Sequence, residues 1–143
     1  EHPLVYTLFQ PTAGASAIPG QHTPQVRLTY ELNVKTGNPK LLALSSVSNN
    51  PTCCTSTGEY RNLKMTRAIP LYLLSLHVGS FDFHSFDHRT GIYAEPESMK
   101  AARDAFEKLP KYMQAAEDLC GPYRWGTYTP IQLGWAFPYG AME

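Results

Sequence analysis

The sequence predicts an α+β fold, built from a β-rich first half, a helical stretch and an extended tail. Three observations predict it. Residues 26–34, VRLTYELNV, alternate apolar and polar side chains with period two, as a half-buried strand does. After Pro96 the apolar positions Met99, Ala102, Phe106, Leu109, Met113, Ala116 and Cys120 recur at steps of three and four, the spacing of one helix face. From residue 121 onward the chain is rich in Gly, Pro and aromatic residues, with one short strand signal at 129–134.

The elements follow in order. In 26–34, Val26, Leu28, Tyr30, Leu32 and Val34 point one way and Arg27, Thr29, Glu31 and Asn33 the other. TGNP at 36–39 supplies a turn, and KLLALSSV at 40–47 reads as the return strand. SNNPTCCTSTG, 48–58, is a polar loop of small residues. Strand character resumes at 59–66, and again at 71–78, where a nearly continuous apolar run predicts cover on both faces. Residues 81–86 alternate and 91–95 form a short strand. Pro96 near its start and Gly121 past its end frame the helix, while Pro110 inside the pattern either kinks it or opens a second one. So few strands do not close on themselves, which predicts an open sheet edge and a missing remainder.

Composition narrows the function classes. The chain has 143 residues, the length of one domain or of pieces of two. Twelve basic and twelve acidic side chains cancel, with no basic stripe, so neither nucleic acid nor an anionic membrane is an expected partner. The longest apolar run, IPLYLLSLHVG at 69–79, is too short for a bilayer and holds a proline. No signal-peptide pattern is read in the first residues given, which need not be the start of the protein. Cys53 and Cys54 are adjacent and Cys120 stands alone, without a C-x-x-C pair, which predicts a reducing, cytoplasmic setting and no structural zinc site.

Most chemistry-bearing residues form no constellation. His84 and His88 are four apart, as in H-E-x-x-H, but serine follows His84 and the local pattern is a strand and a turn. They read as hairpin histidines, not metal ligands. His2 and His22 show no spacing pattern, and His77, in an apolar run, reads as a hydrogen-bonded core residue. No nucleophile elbow, P-loop or dinucleotide fingerprint is present. Activation of a cysteine needs a base that the sequence does not reveal.

The ending is different. The last nine residues are WAFPYGAME, where a polar, frayed terminus is the usual expectation; it reads as an interior segment. FPYGAME resembles the G-[GA]-M-E-N segment of thermolysin-like zinc aminopeptidases, and more closely the form in the leukotriene A4 hydrolase/aminopeptidase group. The resemblance keeps its order along the chain: EHP at 1–3, Gln10, IPGQHTP at 18–24, RLTY at 27–30, IPLYLLSLHVG at 69–79, RTGIYAEP at 89–96, AEDLCGPYRWG at 116–126, then FPYGAME.

That resemblance implies residues 1–80 as the C-terminal part of an N-terminal β domain, a partial mixed and antiparallel saddle. It implies residues 81–143 as the first strands, helix and substrate-edge strand of a thermolysin-like catalytic domain. It further implies that Glu143 grips the free α-amine of a peptide substrate, that Gly140 and Ala141 let the backbone approach it, and that Tyr139, Met142 and Gln10 line the same place. Zinc is implied for the parent protein and not for this chain, which lacks the H-E-x-x-H helix, the further glutamate and the oxyanion tyrosine that follow in the family. This chain by itself is therefore expected to be inactive, with no catalytic residue of its own, and its expected partners are the peptide's amino end and the remainder of the parent polypeptide.

The departures are Leu8, Phe9, Gln10 and Pro11 where the group carries Q-x-Q-A, His22 where it carries aspartate, Ala141 for its second glycine, and no double proline in TPIQLGWAF. They leave substrate range open, and epoxide hydrolysis is not carried over. The alternative is a non-catalytic interaction module derived from the same β-rich scaffold.

Overall fold

A computed structural model describes residues 3–7, 9, 18–47 and 60–134. The chain is α+β, and it divides into two compact units between Ser80 and Phe81.

Among its described residues the first unit has five strands, β1 (Val5–Tyr6), β2 (Arg27–Lys35), β3 (Leu42–Ser45), β4 (Tyr60–Pro70) and β5 (Leu76–Gly79). β2 shows the alternation of its sequence, every second residue half-buried and the others exposed. Its partner is not the strand expected. TGNP does turn, with Gly37 at φ 67° and the Asn38 carboxamide accepting from the Lys40 N–H at 3.0 Å. Yet β3 leaves β2 and pairs antiparallel with β5, while β2 pairs antiparallel with β4 from Arg27↔Pro70 to Lys35↔Tyr60. Length and burial decide this. β4 matches the nine residues of β2, whereas β3 has four and is almost wholly buried.

The run expected as a strand over 71–78 is also corrected. Pro70 ends β4, Leu71–Leu73 form one 3-10 turn, and only Leu76–Gly79 is extended. Most of that run is half-buried, not covered on both faces. β5 is the centre of a three-stranded sheet with β1 and β3, both antiparallel to it. Ala43, Val47, Leu63, Met65 and Ile69 form the core, with Tyr30, Leu32 and Val34 of β2 packed on it.

The second unit comprises β6 (Asp82–Ser85), β7 (Gly91–Ala94), α1 (Met99–Phe106), α2 (Leu109–Cys120) and β8 (Ile131–Gln132). β6 and β7 form an antiparallel hairpin, and β8 lies parallel to β7 on its other side. A parallel return requires a crossover, which the two helices supply. Pro110 therefore opens a second helix: it sits in the first turn of α2, where its missing N–H would have no intrahelical partner. Gly121, at φ 87°, ends α2 with its N–H donating to the Glu117 carbonyl at 2.8 Å.

Ile92 and Ala94 of β7 and Ala102 of α1 are buried together, with Phe86, Met99 and Phe106 against them. The opposite face of the hairpin carries Phe83 stacked on Tyr93, ring centroids 4.8 Å apart. The apolar stripe of the sequence holds through Met113 and then fails, because Ala116 and Cys120 are exposed and Glu117 occupies the half-buried position one turn beyond Met113.

Candidate functional site

Every residue to which the sequence assigns substrate contact, namely Gln10, Tyr139, Gly140, Ala141, Met142 and Glu143, lies outside the described residues. The described structure contains what leads to the terminal motif, through β8 and as far as Gly134.

That lead-in begins at the β6–β7 turn. Asp87 Oδ1 accepts from the N–H of Arg89 at 2.8 Å, the N–H of Thr90 at 2.6 Å and the Thr90 hydroxyl at 2.8 Å. Partial burial pushes the Asp87 carboxyl up, but these donors and the adjacent His88 together hold it below its ordinary value. The turn so fixed aims Arg89 at α2. Its guanidinium makes two parallel 2.8 Å bonds to the Glu117 carboxylate, whose Oε1 also accepts from the Tyr123 N–H at 2.8 Å. The Arg89 bonds first, and the Tyr123 N–H second, lower the Glu117 carboxyl to about 2, and the same pairing raises Arg89.

The backbone of Arg89 serves the other side of the crossover. Its carbonyl accepts from the Tyr128 N–H at 2.8 Å, and Thr90 bridges Tyr128 in parallel. The Gly91 N–H then donates to the Tyr128 carbonyl at 3.4 Å and the Tyr93 N–H to the Pro130 carbonyl at 2.9 Å, after which Tyr93 faces Ile131 and Ala94 faces Gln132. β7 and β8 thus end side by side. A Cβ built on Gly134 would stand 3.1 Å from Oε2 of Glu95, so the carboxylate following β7 lies close against the backbone leaving β8. Ligand sites of sheets with parallel strands form at this carboxyl end.

The histidines sit apart from this arrangement. His84 is half-buried on β6, edge-on to Phe86 at 5.0 Å, and His88 is exposed in the turn. His84 and Phe86 border an open depression of about 410 Å³ completed by Arg103, Asp104 and Glu107. Among the described residues no three His, Cys, Asp or Glu side chains are grouped to hold a metal ion. His77 is half-buried in β5 opposite Tyr6 and Leu44; its Nδ1 has no hydrogen-bond partner, and burial lowers its pKa. His22 closes a local loop, Nε2 against the Ile18 carbonyl at 2.9 Å.

The residues that sequence reasoning missed are Arg89 and Glu117. The signal was present: Glu117 stands at i+8 from Leu109 and i+4 from Met113, a charge in a core position, which calls for a partner.

No protein-family model matches the chain. Individual relatives do. Leukotriene A-4 hydrolase of Xenopus laevis is 36% identical over 145 residues, covering 99% of this chain and 24% of that protein. Leucine aminopeptidase 2 of Pyricularia oryzae is 31% identical over 144 residues, covering 99% and 23%. The chain is a homologue of the leukotriene A4 hydrolase and aminopeptidase group. Aminopeptidase B of Rattus norvegicus, at 29% over 147 residues, belongs with the same set of matches. Among solved structures, native yeast leukotriene A4 hydrolase superposes with a TM-score of 0.86 at 25% identity, over 99% of this chain and 22% of that one. The chain spans about a quarter of the length of the curated relatives it matches. Among the described residues, no helix is long and apolar enough to cross a membrane.

Proposed function

We propose that this chain is part of a zinc-dependent aminopeptidase that removes N-terminal residues from peptides, and that it supplies the anchor for the substrate's α-amine. In this reading residues 1–80 are the end of the β domain and residues 81–143 the start of the catalytic domain. The observation that carries it is the match to hydrolases and aminopeptidases along 99% of the chain, in a sequence that runs into FPYGAME.

The chemistry is specific to an exopeptidase. A peptide's amino end is a cation, with a reference pKa of about 8. A carboxylate held in a partly desolvated edge forms a charge-assisted hydrogen bond with it, which places the first peptide bond, and no other, at the reacting centre. Glu143 takes that role. Gly140 and Ala141 leave the backbone open to the substrate, Tyr139 and Met142 flank it, and Gln10 adds a neutral contact to it. The metal, whose ligands we place outside this chain, polarises the scissile carbonyl and activates water when bound. The chain by itself is inactive on this reading, its partner is the rest of its polypeptide, and its cysteine usage accords with a cytoplasmic setting.

The test uses the full-length polypeptide with an aminoacyl-anilide substrate. Glu143→Ala leaves the ammonium without its counter-charge, and losing one member of such a pair costs about 2–5 kcal/mol, so kcat/KM falls at least about 30-fold. An undiminished rate would remove Glu143 from this role. An unsubstituted full-length polypeptide with no activity would instead favour the interaction-module alternative.

A further inference from the structure

We propose that Arg89 and Glu117 are positioning residues of the substrate edge, pinning the register of β8 against β7 and so the place at which the chain sets out toward Glu143. This rests on the aminopeptidase reading of Glu143; the pinning itself rests on the geometry of the second unit alone.

β8 is two residues long, and its ladder with β7 consists of Tyr93↔Ile131 and Ala94↔Gln132, preceded by the bridge Thr90↔Tyr128. So short a ladder specifies its own register weakly. A slip of one residue moves a strand about 3.3 Å along its neighbour and turns every side chain to the other face. In this structure the ladder and its bridge, which includes the bond from the Tyr128 N–H to the Arg89 carbonyl, are reinforced from outside by the side chains of Arg89 and Glu117. The fork of Arg89 fixes Glu117 at the end of α2, Glu117 fixes the Tyr123 N–H where the chain leaves that helix, and the Arg89 carbonyl fixes the Tyr128 N–H where it re-enters the sheet. One residue therefore ties both ends of the return segment. Arg89 and Glu117 side chains are 31% and 14% exposed, which shields the pair from much of the solvent competition that weakens surface ion pairs. Lysine cannot reproduce the fork, because its ammonium offers no two parallel donors.

The consequence is chemical. Misplacing a substrate-holding group by about 1 Å costs on the order of 100-fold in rate, and a slip at β8 displaces the start of the terminal segment by more than that. The α-amine contribution to binding is the quantity that should suffer.

Arg89→Lys and Glu117→Gln are made in the full-length polypeptide. Two competitive ligands are compared, L-phenylalaninamide and its des-amino counterpart 3-phenylpropionamide, and deuterium exchange is read at the Gly91 and Tyr93 amides, which donate to the segment entering β8. The expected result is that the preference for the amine-bearing ligand drops about tenfold or more in both variants while those two amides exchange faster. Arg89→Lys, which keeps the charge, guards against a Glu117→Gln variant that does not fold. A preserved preference with faster exchange reduces the pair to a structural role and overturns the proposal, as does unchanged exchange, which would show that β8 holds its own register. If the unsubstituted polypeptide has no preference for the amine, the functional reading fails, and the exchange measurement still decides the pin.

Discussion

Gly91→Ala tests how tightly the β6–β7 hairpin is packed. Gly91 opens β7 opposite Ser85, and a Cβ there would lie 2.6 and 2.7 Å from Cε2 and Cζ of Phe83 and 2.9 Å from the His84 carbonyl oxygen. Phe83 is 40% exposed, so its ring can swing toward solvent at the cost of its tilted packing on the buried Tyr93; the carbonyl belongs to the paired strand and cannot yield without disturbing the ladder. Overpacking of this kind costs about 1–3 kcal/mol, and loss of the aromatic geometry about 0.5–1.5 kcal/mol more. Against these stands a gain of about 0.4–1 kcal/mol, because alanine narrows the unfolded ensemble. The clash wins, with a net loss of about 1–3 kcal/mol. At a typical urea dependence of about 1–2 kcal/mol per molar, the midpoint falls by about 0.5–3 M. Urea unfolding followed by circular dichroism measures it. In a Phe83→Ala background the same substitution should cost less, since only the carbonyl contact remains. An equal or higher midpoint for Gly91→Ala would show that the hairpin accommodates the methyl group and that the packing argument is wrong.

Two pH dependences follow from the perturbed groups. Burial lowers His77, so the folded chain takes up this proton at lower pH than the unfolded state, which does so at about 6.5; its stability contribution is present above that pH and declines below it, by at most about 1.4 kcal/mol per pH unit, until the folded group protonates as well. His77→Leu should flatten the urea midpoint between pH 7 and 5, and an unaltered slope would contradict the assignment. Glu117, held at about 2 by Arg89 and then by the Tyr123 N–H, gives the opposite case: its contribution is intact above its ordinary value near 4.5 and disappears as the pH falls from there toward 2. Glu117→Gln should lose that acid-side slope while keeping the one that His77 produces.

Local patterns in the sequence translate directly into several elements. β2 was legible because one of its faces is half-buried, so its side chains must alternate. α1 and the first half of α2 were legible because Ala102, Leu109 and Met113 are buried at helical spacing. The second half of α2 was not, because Glu117 takes the inward position and pairs with Arg89, 28 residues earlier. The turn at 36–39 was legible and the pairing after it was not: a hairpin turn brings two segments close, but β3 found a well-buried site beside β5.

What the sequence by itself determined is the kind of several elements, β2 and α1 among them, and the order of the motifs that end in Glu143, since both are written in neighbouring residues. Only the tertiary structure decided which strands pair, that β8 runs parallel to β7, and that Arg89 spans the crossover to Glu117. The physical reason is separation along the chain. Periodicity and turn chemistry act over a few residues, whereas pairing and ion-pair partners are chosen by burial and length among segments that meet only after folding.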